Sequence, residues 1–76
     1  MAGVAVLYTQ PKCAECNAMR RALRSKGIEF EEINATKDPD AMAFVTHELG
    51  HEFLPVVWFD RQLHWSGFRP EMLEQV

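Results

Sequence analysis

The chain of 76 residues is 47% hydrophobic and 25% charged, and it carries a net charge of −3. This length predicts a single domain over residues 1–76, and the composition is typical of a globular protein with a small core. The acidic balance argues against nucleic acid as a main partner.

The cysteines and the N-terminal stretch indicate the compartment. Cys13 and Cys16 are the only two cysteines, and a pair so close in sequence cannot join distant parts of a small secreted domain. Residues Met1 to Tyr8 contain no charged side chain, and their apolar run is too short for a signal peptide or a membrane span. We therefore expect a cytoplasmic protein without membrane association, in which the pair is catalytic or binds a metal.

The first elements in chain order are a strand, a helix and a strand. Gly3 to Tyr8 is a Val-rich apolar run, which predicts a strand buried on both faces. A helix begins at Cys13 or Ala14 and ends before Gly27, because apolar residues recur at spacings of three and four. Its apolar face comprises Cys16, Met19, Ala22 and Leu23. Residues 29–33 predict a second strand, so the three elements form a parallel βαβ unit.

A second helix is predicted after this unit. Asp38 is a favourable N-cap, Pro39 suits the first helical position, and Gly50 is a natural stop. The apolar stripe of this helix is formed by Met42, Val45 and Leu49.

The last third of the chain predicts a β-hairpin and a short helix. Residues 56–59 and 63–65 are apolar enough for two antiparallel strands joined by a tight turn at Asp60-Arg61. Pro70 then starts the final helix. The complete order is β-α-β-α-β-β-α, an α/β fold in which three helices flank a four-stranded mixed sheet.

Histidines in the second helix raise zinc binding as an alternative. His47-Glu48-Leu49-Gly50-His51 matches the H-E-x-x-H pattern, which needs both histidines on one face of a continuing helix. Gly50 is predicted to end that helix, so His51 falls outside it. Cys13 and Cys16 with both histidines resemble a Cys₂His₂ set, but the interval between the two pairs is about twice that of a zinc finger. We therefore predict no metal site, and we assign no function to His64.

The cysteine pair predicts thiol–disulfide chemistry. The thiolate is the nucleophile, and a cysteine at a helix N-terminus lies near unpaired N–H groups and the positive end of the dipole. Cys13 has that position beside the positive charge of Lys12, whereas Cys16 lies one turn further along the apolar face. We predict that Cys13 attacks a partner disulfide and that Cys16 resolves the mixed disulfide. Ligation of a metal or an iron–sulfur cluster is the alternative use of this pair.

Pro55 is the second candidate functional residue. The predicted topology places it at the start of the third strand, close to the N-terminus of the first helix. A cis peptide between Leu54 and Pro55 would turn the Leu54 backbone toward the dithiol, where it could pair with an extended partner segment. An ordinary trans proline at a strand start is the alternative, but the fold context favours the cis form.

Three segments resemble glutaredoxin-like proteins. Tyr8-Thr9-x-Pro11-x-Cys13-x-x-Cys16 and Pro55-Val56-Val57 are similar to segments of that group as a whole. The run Trp65-Ser66-Gly67-Phe68-Arg69-Pro70 resembles the signature of one branch, the NrdH-redoxins. The resemblance spans essentially the whole chain and implies a thioredoxin-like, glutaredoxin-like fold.

The resemblance also implies a function. NrdH-redoxins are electron carriers that reduce class Ib ribonucleotide reductase and are themselves reduced by thioredoxin reductase at the expense of NADPH. It marks Cys13 as the nucleophile, Cys16 as the resolving cysteine and Pro55 as a cis-proline. With Lys12, the expected partner-binding residues are Leu54, Pro55, Trp65, Ser66, Gly67, Phe68 and Arg69. We expect a monomer without a bound cofactor, which uses NADPH only through the reductase. A glutathione-dependent glutaredoxin is the alternative, although Ser66-Gly67-Phe68-Arg69 replaces the Gly-Gly segment and acids that hold glutathione there.

Overall fold

A four-stranded mixed sheet forms the centre of the computed structural model, which describes residues 4–75. The strands lie in the order β2-β1-β3-β4. They are β1 (Ala5–Thr9), β2 (Phe30–Asn34), β3 (Val56–Trp58) and β4 (His64–Ser66). β1 and β2 are parallel, whereas β3 is antiparallel to both β1 and β4. The predicted fold class is therefore confirmed. Gly3 of the predicted first strand lies outside the described residues, and Thr9 extends that strand by one residue.

Helix α1 (Ala14–Ser25) connects the two parallel strands and begins where the sequence predicts. Its buried face consists of Cys16, Met19 and Leu23, each at most 1% exposed. Gly27 adopts a left-handed conformation with φ of 71° and stops the helix. The N–H of Ile28 then donates to the carbonyl of Leu23 at 3.0 Å, which satisfies a carbonyl of the last turn.

Helix α2 (Pro39–Ala43) is shorter than predicted. Asp38 caps it as expected, because its carboxylate accepts the Ala41 N–H at 3.1 Å. From Phe44 to Glu48 the chain continues as a π-helical turn, so the prediction of a regular helix up to Gly50 is wrong. The Thr46 hydroxyl donates to the Met42 carbonyl at 2.8 Å and competes with the amide that a regular helix would place there.

The turn between β3 and β4 is longer than the predicted two-residue connection. The Phe59 N–H donates to the Leu63 carbonyl at 2.9 Å, and β4 begins only at His64. The Asp60 carboxylate organises this turn by accepting the N–H groups of Gln62 and Leu63, each at 2.8 Å. Asp-Arg lacks the glycine of a two-residue turn, and the aspartate side chain supplies an alternative closure.

The core consists of two clusters that alternate along the strands. Leu7 and Val57 belong to one cluster, whereas their neighbours Tyr8 and Val56 belong to the other. The first cluster packs against α1 and against a C-terminal 3₁₀ helix (Pro70–Gln75), and the second packs against α2. Because successive strand residues point to opposite faces, this alternation gives the predicted three layers. No helix within residues 4–75 is long and apolar enough to cross a bilayer.

An ion pair joins α1 to the edge strand β2. Two guanidinium nitrogens of Arg20 donate to the Glu32 carboxylate at 2.6 Å each. The hydroxyl of Thr9, which is only 5% exposed, donates to the same carboxylate at 3.3 Å. The hydrogen bonds from Arg20 outweigh the partial burial of Glu32 and lower the pKa of its carboxyl group.

We expect Glu32→Gln to reduce the loss of stability in acid. The folded-state pKa of Glu32 is lowered, so its ionised form stabilises the fold above the unfolded pKa of about 4.3, and this contribution is lost as the pH falls through the folded value. Both side chains are partly exposed, which limits the loss at neutral pH to about 1 kcal/mol. Urea unfolding at neutral and acid pH measures this, with Glu31→Gln as the matched control. A pH dependence identical to that of the unmodified protein would contradict the assignment.

Candidate active site

Three chain segments lie side by side at one end of the strands. Tyr8 of β1 pairs with Val56 of β3, and Val56 pairs with Ser66 of β4. β1 and β4 therefore end where β3 begins. The dithiol segment, the Leu54-Pro55 segment and the residues after Ser66 are brought together at this end of the sheet, as the predicted topology indicates for Pro55 and the resemblance implies for the residues after Ser66.

The two cysteines differ in exposure and in bonding. Cys13 is the N-cap of α1, and its sulfur accepts the Cys16 N–H at 3.0 Å. Cys13 is partly exposed, whereas Cys16 is 1% exposed. A disulfide joins them, with their Cα atoms 5.2 Å apart. In the reduced protein, the same amide and the positive end of the helix dipole would favour the Cys13 thiolate.

Lys12 makes the reversal that places Cys13 at the helix N-terminus. Its φ of 55° lies in the left-handed region, which costs a non-glycine residue about 1–2 kcal/mol. Its side chain is exposed. The charge that the sequence predicts for partner binding is therefore presented to solvent directly beside the partly exposed Cys13.

The Leu54–Pro55 peptide bond is cis, as the resemblance implied. The Pro55 ring is fully buried and cannot touch a partner directly. Leu54 is half-buried, and its N–H and carbonyl make no hydrogen bond within residues 4–75. Leu54 also lines a groove of about 200 Å³ together with Gln10 from the dithiol segment. The Leu54 backbone is thus the part of this segment that a partner strand could bind.

Ser66 and Gly67 attach the signature segment to the chain around Pro55. The Ser66 hydroxyl donates to the Phe53 carbonyl at 2.6 Å, and the Gly67 N–H donates to the Pro55 carbonyl at 2.7 Å. Phe68 follows with 41% of its surface exposed. Arg69 is exposed and pairs with Glu71 at 3.1 Å. Phe68 and Arg69 are therefore accessible to a partner.

Trp65 does not belong to this accessible set. It is 2% exposed, lies in the core with Leu7 and Leu73, and stacks on Phe59 with ring centroids 5.7 Å apart. The prediction that Trp65 contacts a partner is wrong for its side chain. Because strand residues alternate between faces, Trp65 points into the core while the chain continues toward the site.

Sequence reasoning missed two features beside the site. Phe53 is 74% exposed. Its position two residues before the candidate cis-proline Pro55 was the available signal. His51 lies outside the helix, as predicted, but it contacts His64 across 13 residues of sequence, which no local pattern reveals. No group of three or more metal-binding side chains comes together in the described part of the chain.

Comparison with known proteins agrees with this geometry. The family model described as Glutaredoxin matches residues 5–65. The glutaredoxin-like protein NrdH of Salmonella typhimurium is 43% identical over 70 residues, which cover 92% of this chain and 84% of that protein. The structure of the glutaredoxin-like protein NrdH-redoxin from Escherichia coli, described by its thioredoxin-like activity profile, has a TM-score of 0.85 and 38% identity, and the match covers 97% of this chain and 95% of that one.

A thioredoxin-like protein, BC3987, has the same TM-score of 0.85 at 28% identity, with 93% of this chain and 96% of that one covered. The family model covers both cysteines and the Leu54-Pro55 segment and ends at Trp65, whereas the matches to the NrdH proteins cover at least 92% of the chain. The chain therefore belongs to the glutaredoxin family, within the NrdH group of glutaredoxin-like proteins, and is a thiol–disulfide oxidoreductase with a Cys13–Cys16 pair.

Proposed function

We propose that this protein is a dithiol electron carrier that reduces class Ib ribonucleotide reductase and is itself reduced by thioredoxin reductase. The observation that carries the proposal is the pair of hydrogen bonds from Ser66 and Gly67 to the segment around Pro55. These bonds lie at the end of the sheet where the dithiol is located. The thioredoxin-like activity profile of the Escherichia coli relative supports it. We also propose that the protein works as a monomer in the cytoplasm without a bound cofactor.

The proposed reaction transfers two electrons in two exchange steps. The Cys13 thiolate attacks one sulfur of the partner disulfide, and the other partner sulfur leaves as a thiolate. The Cys16 thiolate then attacks the Cys13 sulfur and displaces the partner, so the partner gains two electrons and the Cys13–Cys16 disulfide forms. The reductase returns two electrons from NADPH to this disulfide, and solvent protons complete the thiols.

A protein reductase fits this site better than glutathione does. Glutathione is a small anionic peptide, which a site binds through matched charges and main-chain hydrogen bonds. Gln10 carries no charge at the start of the dithiol segment, and the charge of the exposed Lys12 lies outside the groove that Gln10 and Leu54 line. The exposed rings of Phe53 and Phe68 instead provide apolar surface of the kind that protein interfaces use.

A coupled assay tests the choice of reductant. We expect NADPH to be oxidised when thioredoxin reductase, this protein and a disulfide-containing protein are combined, because the reductase closes the cycle. Glutathione with its own reductase should give only background, and Cys13→Ser should abolish turnover in both arms. Turnover with glutathione alone would overturn the proposal. A third arm with class Ib ribonucleotide reductase should form deoxyribonucleotides with this protein as the sole reductant.

A further inference from the structure

His51 and His64 form a contact that the disulfide exchange does not use. The Nε2 atom of His51 lies 2.8 Å from the Nδ1 atom of His64, which is hydrogen-bond distance. The ring centroids are 4.9 Å apart and the ring planes meet at 78°, so the two nitrogens point at each other. Both side chains are half-buried. The two imidazoles, which come from separate parts of the chain, are therefore within reach of one hydrogen bond.

This contact is one of three that attach residues 51–55 to β4 and to Gly67, which follows β4. Ser66 binds the Phe53 carbonyl and Gly67 binds the Pro55 carbonyl, as described above. His51, Phe53 and Pro55 are thus attached. Leu54, which lies between Phe53 and Pro55, is not. Of the three attachments, only the histidine pair can change its protonation near neutral pH.

The number of protons on the pair decides whether the contact can exist. When both rings are neutral, one N–H donates to the other ring, and one added proton leaves a donor and an acceptor in place. When both rings are protonated, the two facing nitrogens both carry hydrogens and positive charge, so they must separate. Burial, and then the charge on His64, lowers the pKa of His51 and makes this second protonation costly.

Charged groups on the neighbouring elements act in both directions. Glu48 of the π-helical turn and Arg61 of the hairpin turn line one cavity with His64. Glu52 lines the groove that contains His51 and Leu54. The two carboxylates attract positive charge on the pair, whereas the Arg61 guanidinium repels it.

We propose that His51 and His64 are positioning residues that hold the partner-binding backbone at Leu54, and that they release it when both imidazoles are protonated. Binding of oxidised proteins then weakens selectively in mild acid, while attack on small disulfides, which need no backbone pairing, does not. The inference rests on the proposed use of protein disulfides as substrates, but it is independent of which reductase reduces the dithiol.

The test uses protein that has been reduced chemically, so no reductase is needed. Its rates with insulin and with a small aromatic disulfide are measured in single turnovers from mildly alkaline to mildly acid pH. The ratio of the two rates cancels the titration of Cys13, which affects both substrates. We expect this ratio to fall severalfold at the acid end of the range, below the pH at which a free histidine takes up its proton, because burial lowers the pKa of His51.

His64→Phe and His51→Gln remove the double protonation and should make the ratio independent of pH. His47→Gln changes an exposed histidine of the π-helical turn and should leave the pH dependence intact. Nuclear magnetic resonance titration of the unmodified protein provides a readout without any variant, and His51 should accept its proton at lower pH than a free histidine. A ratio that falls equally in His64→Phe, or two histidines that titrate independently at ordinary pH, would overturn the proposal. A failed reductase assay with an intact pH effect would instead reject only the proposed reductase.

Discussion

Cys16→Ser should leave the protein able to attack a disulfide but unable to complete the exchange. Cys13 retains its place as the N-cap of α1 and the nearby N–H of residue 16, so its thiolate stays favoured. The resolving thiol is lost, so a covalent complex with the partner accumulates. Multiple turnover should fall by a factor on the order of 10³ or more, while the first attack stays close to its original rate.

Mass spectrometry under non-reducing conditions identifies the trapped complex, and the matched control is Cys13→Ser. That variant retains only Cys16, which is 1% exposed and cannot be reached by a folded partner. It should trap nothing and show no burst. Trapping by Cys13→Ser in place of Cys16→Ser would reverse the assigned roles and would show that exposure does not decide which sulfur attacks.

Local chemistry explains which parts of this fold could be predicted. The start of α1 follows from Cys13, whose sulfur accepts the Cys16 N–H, its end from Gly27, and the start of α2 from Asp38. Each of these signals acts within a few residues, so the sequence contains the complete interaction. The meeting of the dithiol with Pro55 was also predictable, because strand order determines which ends of the strands are neighbours.

The errors have non-local or competing causes. The π-helical turn arises where Thr46 donates to the Met42 carbonyl, and helix propensity does not include that competition. The contact between His51 and His64 joins residues that are 13 apart in the sequence, so no local pattern reveals it. Trp65 illustrates a third cause, because a residue within a functional signature need not face the functional surface. Alternation along β4 assigns its side chain to the core.

Trp65→Ala should therefore act on stability and not on partner recognition. Trp65 belongs to the core cluster that joins the sheet to α1 and to the C-terminal 3₁₀ helix, together with Met19 and Leu73. Truncating a buried tryptophan leaves a large cavity and costs about 3–5 kcal/mol. A chain of 76 residues has a total stability of about 4–11 kcal/mol, so this one change removes much of it.

Trp65→Phe separates the effect of packing from that of the indole N–H. The buried Nε1 of Trp65 has no hydrogen-bond partner within residues 4–75, so a phenyl ring loses volume but no hydrogen bond. We expect a loss of about 1–2 kcal/mol in the free energy of unfolding by urea, with unchanged KM for the partner among folded molecules. Phe68→Ala is the matched control, because its exposed ring should leave stability nearly unchanged and raise that KM. Normal stability with a raised KM in Trp65→Phe would instead place the indole at the interface and contradict its burial in the core.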